Sequence, residues 1–269
     1  MNIHPFPSDS VFFLGGYDLE MVTILDILLS RDQIVYDHGL AWGAKSSDYR
    51  AEITASLDTR KTPVLVELVD DLNLLPSRII MVDHHGSQAG KEIPTSLEQI
   101  FAGLNLPQYQ WSRHYALVSA NDRGYIPAML EINATKDEIQ AIRAMDRKSQ
   151  GITEAEEREA EAALSNLQLL AEGELTVVHL PHRKSAAICD RLDITTGGNG
   201  YRNLLIICPG EIDYFGLGSV VCALAEAFPS GSWWGGALPD YGYWGSNQAE
   251  AAAVLTFLLN RFDPRQAHA

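Results

Sequence analysis

Short apolar runs alternate with longer polar stretches through the first part of the chain, residues 1–133. Several of these runs have the length of a buried strand, and they cover residues 11–14, 33–36, 64–69, 79–82 and 115–119. The segments with helical length or helical spacing of apolar residues cover residues 18–29, 47–57 and 96–104. Continuous apolar strands that alternate with helices are typical of a parallel sheet covered on both faces. The pattern therefore predicts an α/β fold built on a parallel sheet.

Acidic and histidine side chains lie at or just after the end of each predicted strand. In chain order they are Asp18 and Glu20, then Asp37 and His38, Glu67, Asp83 with His84 and His85, and finally Asn121 with Asp122 and Arg123. In an open parallel sheet, ligands bind beyond the carboxyl ends of the strands. We therefore expect these side chains to meet at one edge of the sheet.

Two helices with N-terminal capping boxes are predicted next. Thr135 with Glu138, and Thr153 with Glu156, match the Thr-x-x-Glu pattern. Apolar runs of strand length then return at residues 176–179, 186–188 and 204–207, and apolar helical segments follow at 219–228 and 248–261. The predicted organisation is a parallel-sheet domain with flanking helices at residues 1–133, a helical linker at 134–173, and a smaller α/β domain at 174–269.

Composition and charge limit the classes of partner. The chain has 269 residues, of which 46% are hydrophobic, and a net charge of −15. That charge disfavours long duplex nucleic acid, whose binding needs Lys and Arg to neutralise phosphates. No apolar run approaches the roughly 20 residues of a membrane span, and the first residues lack the features of a secretory signal. We expect a cytoplasmic protein with reduced, buried thiols at Cys189, Cys208 and Cys222.

The residue types at the predicted sheet edge suit divalent metal ions. Carboxylates and imidazoles are ligands for Mn²⁺, and carboxylates also bind Mg²⁺. A pair of such ions can hold a phosphate and activate a water, provided that one carboxylate bridges them. The most specific sequence signal is Asp83-His84-His85, which follows the apolar run 79–82 and precedes Gly86.

The segment 79–86, Ile-Ile-Met-Val-Asp-His-His-Gly, resembles the signature motif of the DHH phosphoesterases. Three further segments resemble other motifs of that family in the same order: residues 14–20, 64–70 and 118–124. The resemblance implies a metal-dependent catalytic domain at 1–133 and a substrate-binding domain, similar to the family's second domain, at 174–269. It also implies that the active site lies in the cleft between the two.

By that resemblance, the metal ligands would be Asp18, Glu20, Glu67, His84 and Asp122, with Glu67 as the bridge between two ions. Asp83 would orient a histidine, and His85 would face the scissile phosphate; with Asp122, these two residues form the predicted catalytic set. The cofactor would be one or two Mn²⁺ or Mg²⁺ ions.

Several positions depart from the family pattern. Family members usually carry Asp at the positions of Glu20 and Glu67, and many carry His at the position of Leu14. Gly16 also replaces an acid or a histidine. One metal site is therefore short of a ligand. His38, or Asp37 beside it, could compensate, although His38 could equally be a surface histidine.

The second domain offers candidate substrate-binding residues. His182, Arg183 and Lys184 resemble the basic segment with which the pyrophosphatase branch of the family binds phosphate, although an ordinary solvated turn is the alternative. With Arg123, they would contact the substrate. The segment 233–236, Trp-Trp-Gly-Gly, stands where many members carry a Gly-Gly-Gly-His loop. Trp234 would stack on a base, or this segment would form a packed turn or a dimer contact.

Two functions follow from these features. The first is hydrolysis of a small phosphate ester or anhydride, of the nucleotide or phosphodiester class. The alternative is a catalytically degenerate DHH-fold protein that binds a nucleotide or partner without cleaving it, which the altered first motif and the missing loop histidine favour. A structural protein with an incidental acidic cluster is a third, weaker option. The expected partner is a small phosphorylated substrate, and a homodimer stays open.

Overall fold

The computed structural model describes residues 4–90 and 92–262. Its first sheet contains four parallel strands in the order β2-β1-β3-β4. These strands are β1 (Ser10–Leu14), β2 (Ile34–Tyr36), β3 (Thr62–Val66) and β4 (Ile80–Val82). The predicted parallel sheet is therefore confirmed.

Helices cover both faces of this sheet. The helices of this part are α1 (Leu19–Leu29), α2 (Arg50–Asp58), α3 (Ser96–Gly103) and α4 (Arg113–Glu131). Alternate residues of β1 point to opposite faces: Phe12 and Leu14 pack with α1, α3 and α4, whereas Val11 and Phe13 pack with α2. All four side chains are buried, which explains why β1 is a continuous apolar run.

The strand predicted at residues 115–119 is wrong, because this segment belongs to helix α4. Ser112 caps the helix by accepting a hydrogen bond from the backbone N–H of Tyr115 at 3.2 Å. Apolar runs of five residues occur in buried helices as well as in strands. The helix is interrupted at Gly124 and Tyr125, and Tyr125 has φ +60°.

The two predicted capping boxes are confirmed. They open α5 (Lys136–Ser149) and α6 (Glu154–Leu164). In each, the threonine hydroxyl accepts from the backbone N–H three residues later, and the glutamate accepts a bond from the threonine N–H in return. Helix α6 turns Ala160 toward the core and most of its glutamates toward solvent.

The second sheet is mixed, with six strands in the order β5-β6-β7-β8-β10-β9. They are β5 (Gln168–Leu170), β6 (Leu175–His179), β7 (Leu204–Cys208), β8 (Glu211–Leu217), β9 (Ser232–Gly235) and β10 (Tyr241–Ser246). Three helices accompany them: α7 (Ala186–Leu192), α8 (Gly218–Ala227) and α9 (Ala251–Phe262). The first sheet lies within residues 1–133 and strands β6 to β10 lie within residues 174–269, whereas β5 falls in the segment 134–173 that was predicted to be a helical linker. The domain boundaries stay predictions.

Two predictions about this second part are wrong. Residues 186–188 form the start of α7 and not a strand, because an apolar triplet carries no periodicity; Ala187 and Ile188 pack into the core beneath the helix. Cys222 is exposed, whereas Cys189 and Cys208 are buried. Cys222 lies on the outer side of α8. All three thiols are free.

No helix within residues 4–90 and 92–262 combines the length and the apolar character needed to cross a bilayer.

A buried arginine on α5 joins the two halves of the chain. Arg143 is 3% exposed and donates hydrogen bonds to Asn121 (2.8 Å), to Asp146 (2.6 Å) and to Asp190 on α7 (2.7 Å). Its guanidinium carbon lies 4.2 Å from the centre of the Tyr125 ring. Five N–H donors in a rigid plane suit such a multiply bonded position. These bonds hold helix α5, which lies in the predicted linker, against both α4 and α7.

We expect Arg143→Ala to lower the free energy of unfolding by about 3–5 kcal/mol, because buried Asp146 loses its ion-pair partner and buried Asp190 keeps only Arg147 of its two arginines. Arg113→Ala is the control, because Arg113 forms an exposed ion pair with Glu138 and should cost much less. Denaturant unfolding of both variants measures the difference. Equal losses for the two variants would contradict the role given to Arg143.

Candidate metal centre

The β1–α1 connection supplies two of the predicted ligands. Asp18 caps α1, since its Oδ1 accepts from the N–H of Met21 at 2.9 Å. Glu20 follows in the first turn and is 1% exposed, and its Oε1 accepts from the N–H of Leu97 at the start of α3 at 3.0 Å. These bonds engage one oxygen of each carboxylate and fix both side chains at the helix start.

Glu67 leaves β3 in a left-handed conformation with φ +53°. Its N–H donates to the carbonyl of Val82 on the neighbouring strand. Gly15 lies directly against it: a Cβ at that position would come within 2.3 Å of the Glu67 carbonyl oxygen. A side chain at position 15 would therefore push the Glu67 backbone away, so glycine is required there.

The two histidines follow β4 and have different environments. Asp83 Oδ1 accepts from the N–H of His85 at 2.8 Å and lies 3.0 Å from its Nδ1. The backbone carbonyl of Asp83 accepts in turn from the side chain of Gln99. Asp83 thus orients the ring of His85 and leaves the Nε2 of His85 for other contacts. His84 points inward and is 4% exposed.

The Nε2 atom of His84 is the point on which the cluster converges. It lies 2.5 Å from Asp122 Oδ2 and 3.5 Å from both Glu20 Oε2 and Glu67 Oε1. Asp122 arrives from helix α4, and not from a strand end as predicted. Glu67, His84, His85 and Asp122 each offer one ligand atom, and these four atoms lie within 4.8 Å of one another.

Burial and mutual repulsion change the acidity of these groups. Burial raises the pKa of Glu67 to about 7, and it raises the pKa of Asp122, to which the charge of Glu20 adds. Burial opposes ionisation of Glu20 as well, but the close approach and positive charge of His84 lower the pKa of Glu20 to about 2. Burial disfavours a charged His84, yet the charge of Asp122 holds the pKa of His84 well above its ordinary value. The imidazolium of His84 thus partly neutralises the surrounding carboxylates.

Four buried atoms of this cluster make no hydrogen bond in the described part of the chain. They are Glu20 Oε2, Glu67 Oε1, His84 Nε2 and Asp122 Oδ2. Buried polar atoms are almost always satisfied in native proteins, and exceptions need a reason. Three carboxylate oxygens and an imidazole nitrogen facing one point are a donor set that fits a divalent cation such as Mn²⁺. The residues present therefore fit the ion that the sequence implied.

Other predicted site residues lie at different distances from this centre. Asp18 lines the adjoining cleft, and the charges of Asp122 and Glu67 help to raise its pKa after burial itself. His38 is not brought to the cluster: its ring lies against Tyr49, and its Nε2 is 3.5 Å from Glu52. The prediction of His38 as the replacement ligand is therefore wrong.

The cleft beside the cluster has a volume of about 620 Å³ and lies between the two sheets. Arg183 and Lys184 line it, as does Arg123, which also binds Glu98. His182 is turned to the backbone carbonyl of Glu156 at 3.0 Å and does not line the cleft. The structure thus brings Arg123, Arg183 and Lys184 to the cleft, but not His182.

The tryptophan that lines the cleft is the neighbour of the one that was predicted to stack on a base. Trp234 packs against the core of the second part, whereas Trp233 lines the cleft. Successive residues of a strand point to opposite faces, and the sequence alone did not show which tryptophan faced inward. Sequence reasoning also missed Trp42, Tyr243 and Asp213, all of which line the cleft. Only the density of aromatic residues between 233 and 244 gave a signal for one of them, Tyr243.

No protein-family model matches the chain, and no curated protein matches it. Solved structures do. An exopolyphosphatase-related protein from Bacteroides fragilis superposes with a TM-score of 0.52 at 16% identity, over 95% of this chain and 93% of that one. The DHH domain of a protein described as a member of a family of ribosomal proteins gives 0.53 at 12% identity, over 95% and 87%.

A third similar structure is RecJ from Thermus thermophilus in complex with Mn²⁺, with a TM-score of 0.51 and 13% identity. The likeness covers 97% of this chain and 52% of RecJ. These structures show that the chain has the DHH fold, which confirms the fold inferred from residues 79–86.

The stability of the metal-free protein should fall as pH rises from about 5 to about 8. The raised pKa values of Glu67 and His84 mean that the folded state binds their protons more tightly than the unfolded state. The stabilisation is complete below their unfolded pKa values and is lost as pH rises through the folded ones. A cation replaces those protons, so Mn²⁺ should raise the melting temperature more at the higher pH.

Thermal unfolding in EDTA and in Mn²⁺ across this range measures both trends. His84→Gln should remove the Mn²⁺ effect, whereas His38→Gln, which changes a histidine outside the cluster, should keep it. A melting temperature that Mn²⁺ leaves unchanged at every pH would contradict the assignment of this cluster to a metal.

Proposed function

We propose that this chain is a divalent-metal-dependent hydrolase of a small phosphate ester or anhydride, of the nucleotide or phosphodiester class. The observation that carries the proposal is the set of four unsatisfied buried atoms, namely His84 Nε2 and the three carboxylate oxygens around it. This set adjoins a cleft whose other lining residues include Arg183 and Lys184. A cation site and basic side chains on one cleft form a suitable receptor for a phosphoryl group.

The fold supports this class of reaction. Two of the similar structures are an exopolyphosphatase-related protein and RecJ bound to Mn²⁺. At this low sequence identity the similar structures show only that the fold is shared. The proposed activity therefore rests on the side chains of this chain. In the proposed arrangement the first part of the chain is catalytic, and the part after residue 173 binds the substrate.

Glu67, His84, Asp122 and Glu20 would hold the first ion, either Mn²⁺ or Mg²⁺. Asp18 would contribute to a second ion, with Glu67 as the bridge. When bound, such ions lower the pKa of water and neutralise charge on phosphoryl oxygens. The unsatisfied oxygen of Glu20 lies as close to His84 Nε2 as that of Glu67 does, at 3.5 Å.

The remaining residues position the substrate. Asp83 holds Nδ1 of His85, which fixes the ring orientation and leaves Nε2 to donate or accept a proton at the leaving-group oxygen. Arg183 donates to the carbonyl of Pro209 at 2.9 Å, and Lys184 donates to the carbonyl of Gln150. These bonds hold both cations at the cleft, where they would bind phosphoryl oxygens. Arg123 would act in the same way, because its Nε is buried and has no hydrogen-bond partner among the described residues.

The proposed partner is a small phosphorylated molecule. A cleft of about 620 Å³ is of the size that encloses a nucleotide-sized ligand. The net charge of −15 opposes long duplex nucleic acid, because it repels a phosphate backbone outside the local basic patch. A cytoplasmic location and a homodimer remain parts of this proposal.

One observation favours the alternative, a degenerate DHH-fold protein that binds its ligand without cleaving it. Leu14 is fully buried in the core and offers no ligand, and Gly16 faces Trp42: a Cβ there would lie 3.0 Å from the indole. The tryptophan therefore occupies the side of the cleft where Gly16 replaces a ligand residue. A single ion held by the cluster around His84 would bind phosphate without completing a two-metal site.

Hydrolysis separates the two proposals. The Mn²⁺-loaded protein should release phosphate or nucleotide from at least one member of a panel of dinucleotides, cyclic dinucleotides, pyrophosphate and aryl phosphodiesters. Asp122→Asn should abolish turnover, and Asp83→Asn should lower it by about 10–100-fold, because Asp83 acts through His85. Full metal occupancy without turnover on any member would favour the binder.

The role of Lys184, one of the basic residues that line the cleft, is tested with a matched pair of variants. Lys184→Ala should raise KM, because it removes a cation from the cleft, whereas Lys148→Ala removes a lysine of α5 that does not line the cleft. Steady-state kinetics on the best substrate of the panel measures both. Equal KM values for the two variants would remove Lys184 from the proposed site.

A further inference from the structure

The second sheet presents one face of strand β8 to the cleft. Glu211, Asp213 and Phe215 line the cleft, whereas Ile212 and Tyr214 between them pack into the core. This alternation follows from the two-residue period of a strand. The cleft wall opposite the metal cluster is therefore built from a regular sheet, whose register decides which side chains meet.

The register of the second sheet places an aspartate, a glycine and a tryptophan side by side on three neighbouring strands. Asp213 on β8 pairs with Gly245 on β10, and Gly245 pairs with Trp233 on β9. A Cβ at Gly245 would come within 2.4 Å of the indole nitrogen of Trp233. The indole therefore lies across Gly245, toward the Asp213 side. Glycine at this position leaves room for a flat aromatic surface in the cleft.

Asp213 is the second element of this recess. It is 6% exposed, and its Oδ2 has no hydrogen-bond partner among the described residues. Burial raises the pKa of its carboxyl to about 8, and the charge of Glu211 adds to the effect. An unsatisfied buried acid destabilises a fold. Because Asp213 lies in the wall of the cleft, a bound ligand can supply the hydrogen-bond donor that this carboxyl lacks.

The recess is continuous with the metal centre through Tyr243. This residue lies two positions along the strand on the same face of the sheet, paired with Phe215 and Gly235. Its ring centre lies 6.2 Å from that of His85, 5.2 Å from that of Trp42 and 6.4 Å from that of Phe215. A ligand with a phosphoryl group at the cluster can thus extend past Tyr243 to Trp233.

We propose that this recess binds a nucleobase, which stacks on Trp233 and donates a hydrogen bond from a ring N–H or amino group to Asp213 Oδ2. Any of the bases can stack on an indole, whereas a buried hydrogen-bond acceptor selects for bases that carry a donor. The inference rests on the proposed function and deepens it, because it assigns the substrate to the nucleotides and not to inorganic polyphosphates.

Nucleosides test the recess without metal and without a scissile bond. The full-length protein in EDTA is titrated at about pH 8.5, above the pKa of Asp213, so that its carboxylate can only accept. The ligands are guanosine, adenosine and purine riboside, and tryptophan fluorescence and calorimetry report binding. Purine riboside has the same ring system but no N–H or amino donor on its base. It should bind about tenfold more weakly than the better of the other two, which corresponds to one hydrogen bond.

Variants assign the effect to the two residues. Asp213→Val should lower affinity for the donor-bearing nucleosides by about tenfold and leave that for purine riboside unchanged. The same variant should raise the melting temperature, because it removes a buried unsatisfied acid. Asp193→Asn is the matched control, since it removes a carboxylate of the same part of the chain outside the cleft. Trp233→Leu should weaken all three nucleosides, and Trp233→Phe should restore most of the affinity.

The results separate this inference from the proposed function. Hydrolysis of a phosphate substrate without any nucleoside binding would overturn the nucleobase recess and leave the hydrolase standing. Nucleoside binding with the predicted Asp213 dependence but without hydrolysis would support the recess and favour the binding protein. Equal affinity for guanosine and purine riboside, or an Asp213→Val variant that binds as the wild type does, would overturn the role of Asp213.

Discussion

Concentrated negative charge in a buried place is the constraint on which this structure depends. Glu20, Glu67 and Asp122 direct unsatisfied oxygens toward Nε2 of His84, in surroundings that are almost fully closed to water. Such a group of carboxylates repels itself strongly in a medium of low dielectric constant. A bound cation resolves the repulsion, and without one the cluster resolves it by holding protons. The close fit of Gly15 against Glu67 and the bond from the Leu97 N–H to Glu20 keep the carboxylates from moving apart.

A second buried charge, that of Arg143, joins the two parts of the chain. It binds Asp146 and Asp190 and lies against Tyr125, so that the linker helix α5 contacts both α4 and α7. Asp146 in turn accepts from the N–H of Leu19, at the start of the helix that carries Glu20. Arg143 therefore stabilises both the junction between the two parts and the first turn of α1. The cleft, which Arg143 also lines, has walls whose relative position is fixed by this network.

The sequence predicted those features that depend on local pattern. Apolar runs located the four strands of the first sheet, and the Asp83-His84-His85 triplet identified the DHH fold. Asp122 was identified by its motif although its element was wrong, because an apolar segment such as 115–119 is compatible with both helix and strand. Asp213, Trp42 and the choice of Trp233 over Trp234 depend on strand register and on contacts between distant segments. No periodicity within one segment encodes such contacts.

Crystallography at the manganese absorption edge tests the central claim most directly. Crystals of the full chain grown or soaked in Mn²⁺ should show an anomalous peak within coordination distance of Glu67, His84 and Asp122, at about 2.0–2.4 Å from their ligand atoms. The same crystals of His84→Ala should lose this peak. A wild-type crystal with anomalous density elsewhere but none at this cluster would contradict the account, because the four unsatisfied atoms would then need another explanation.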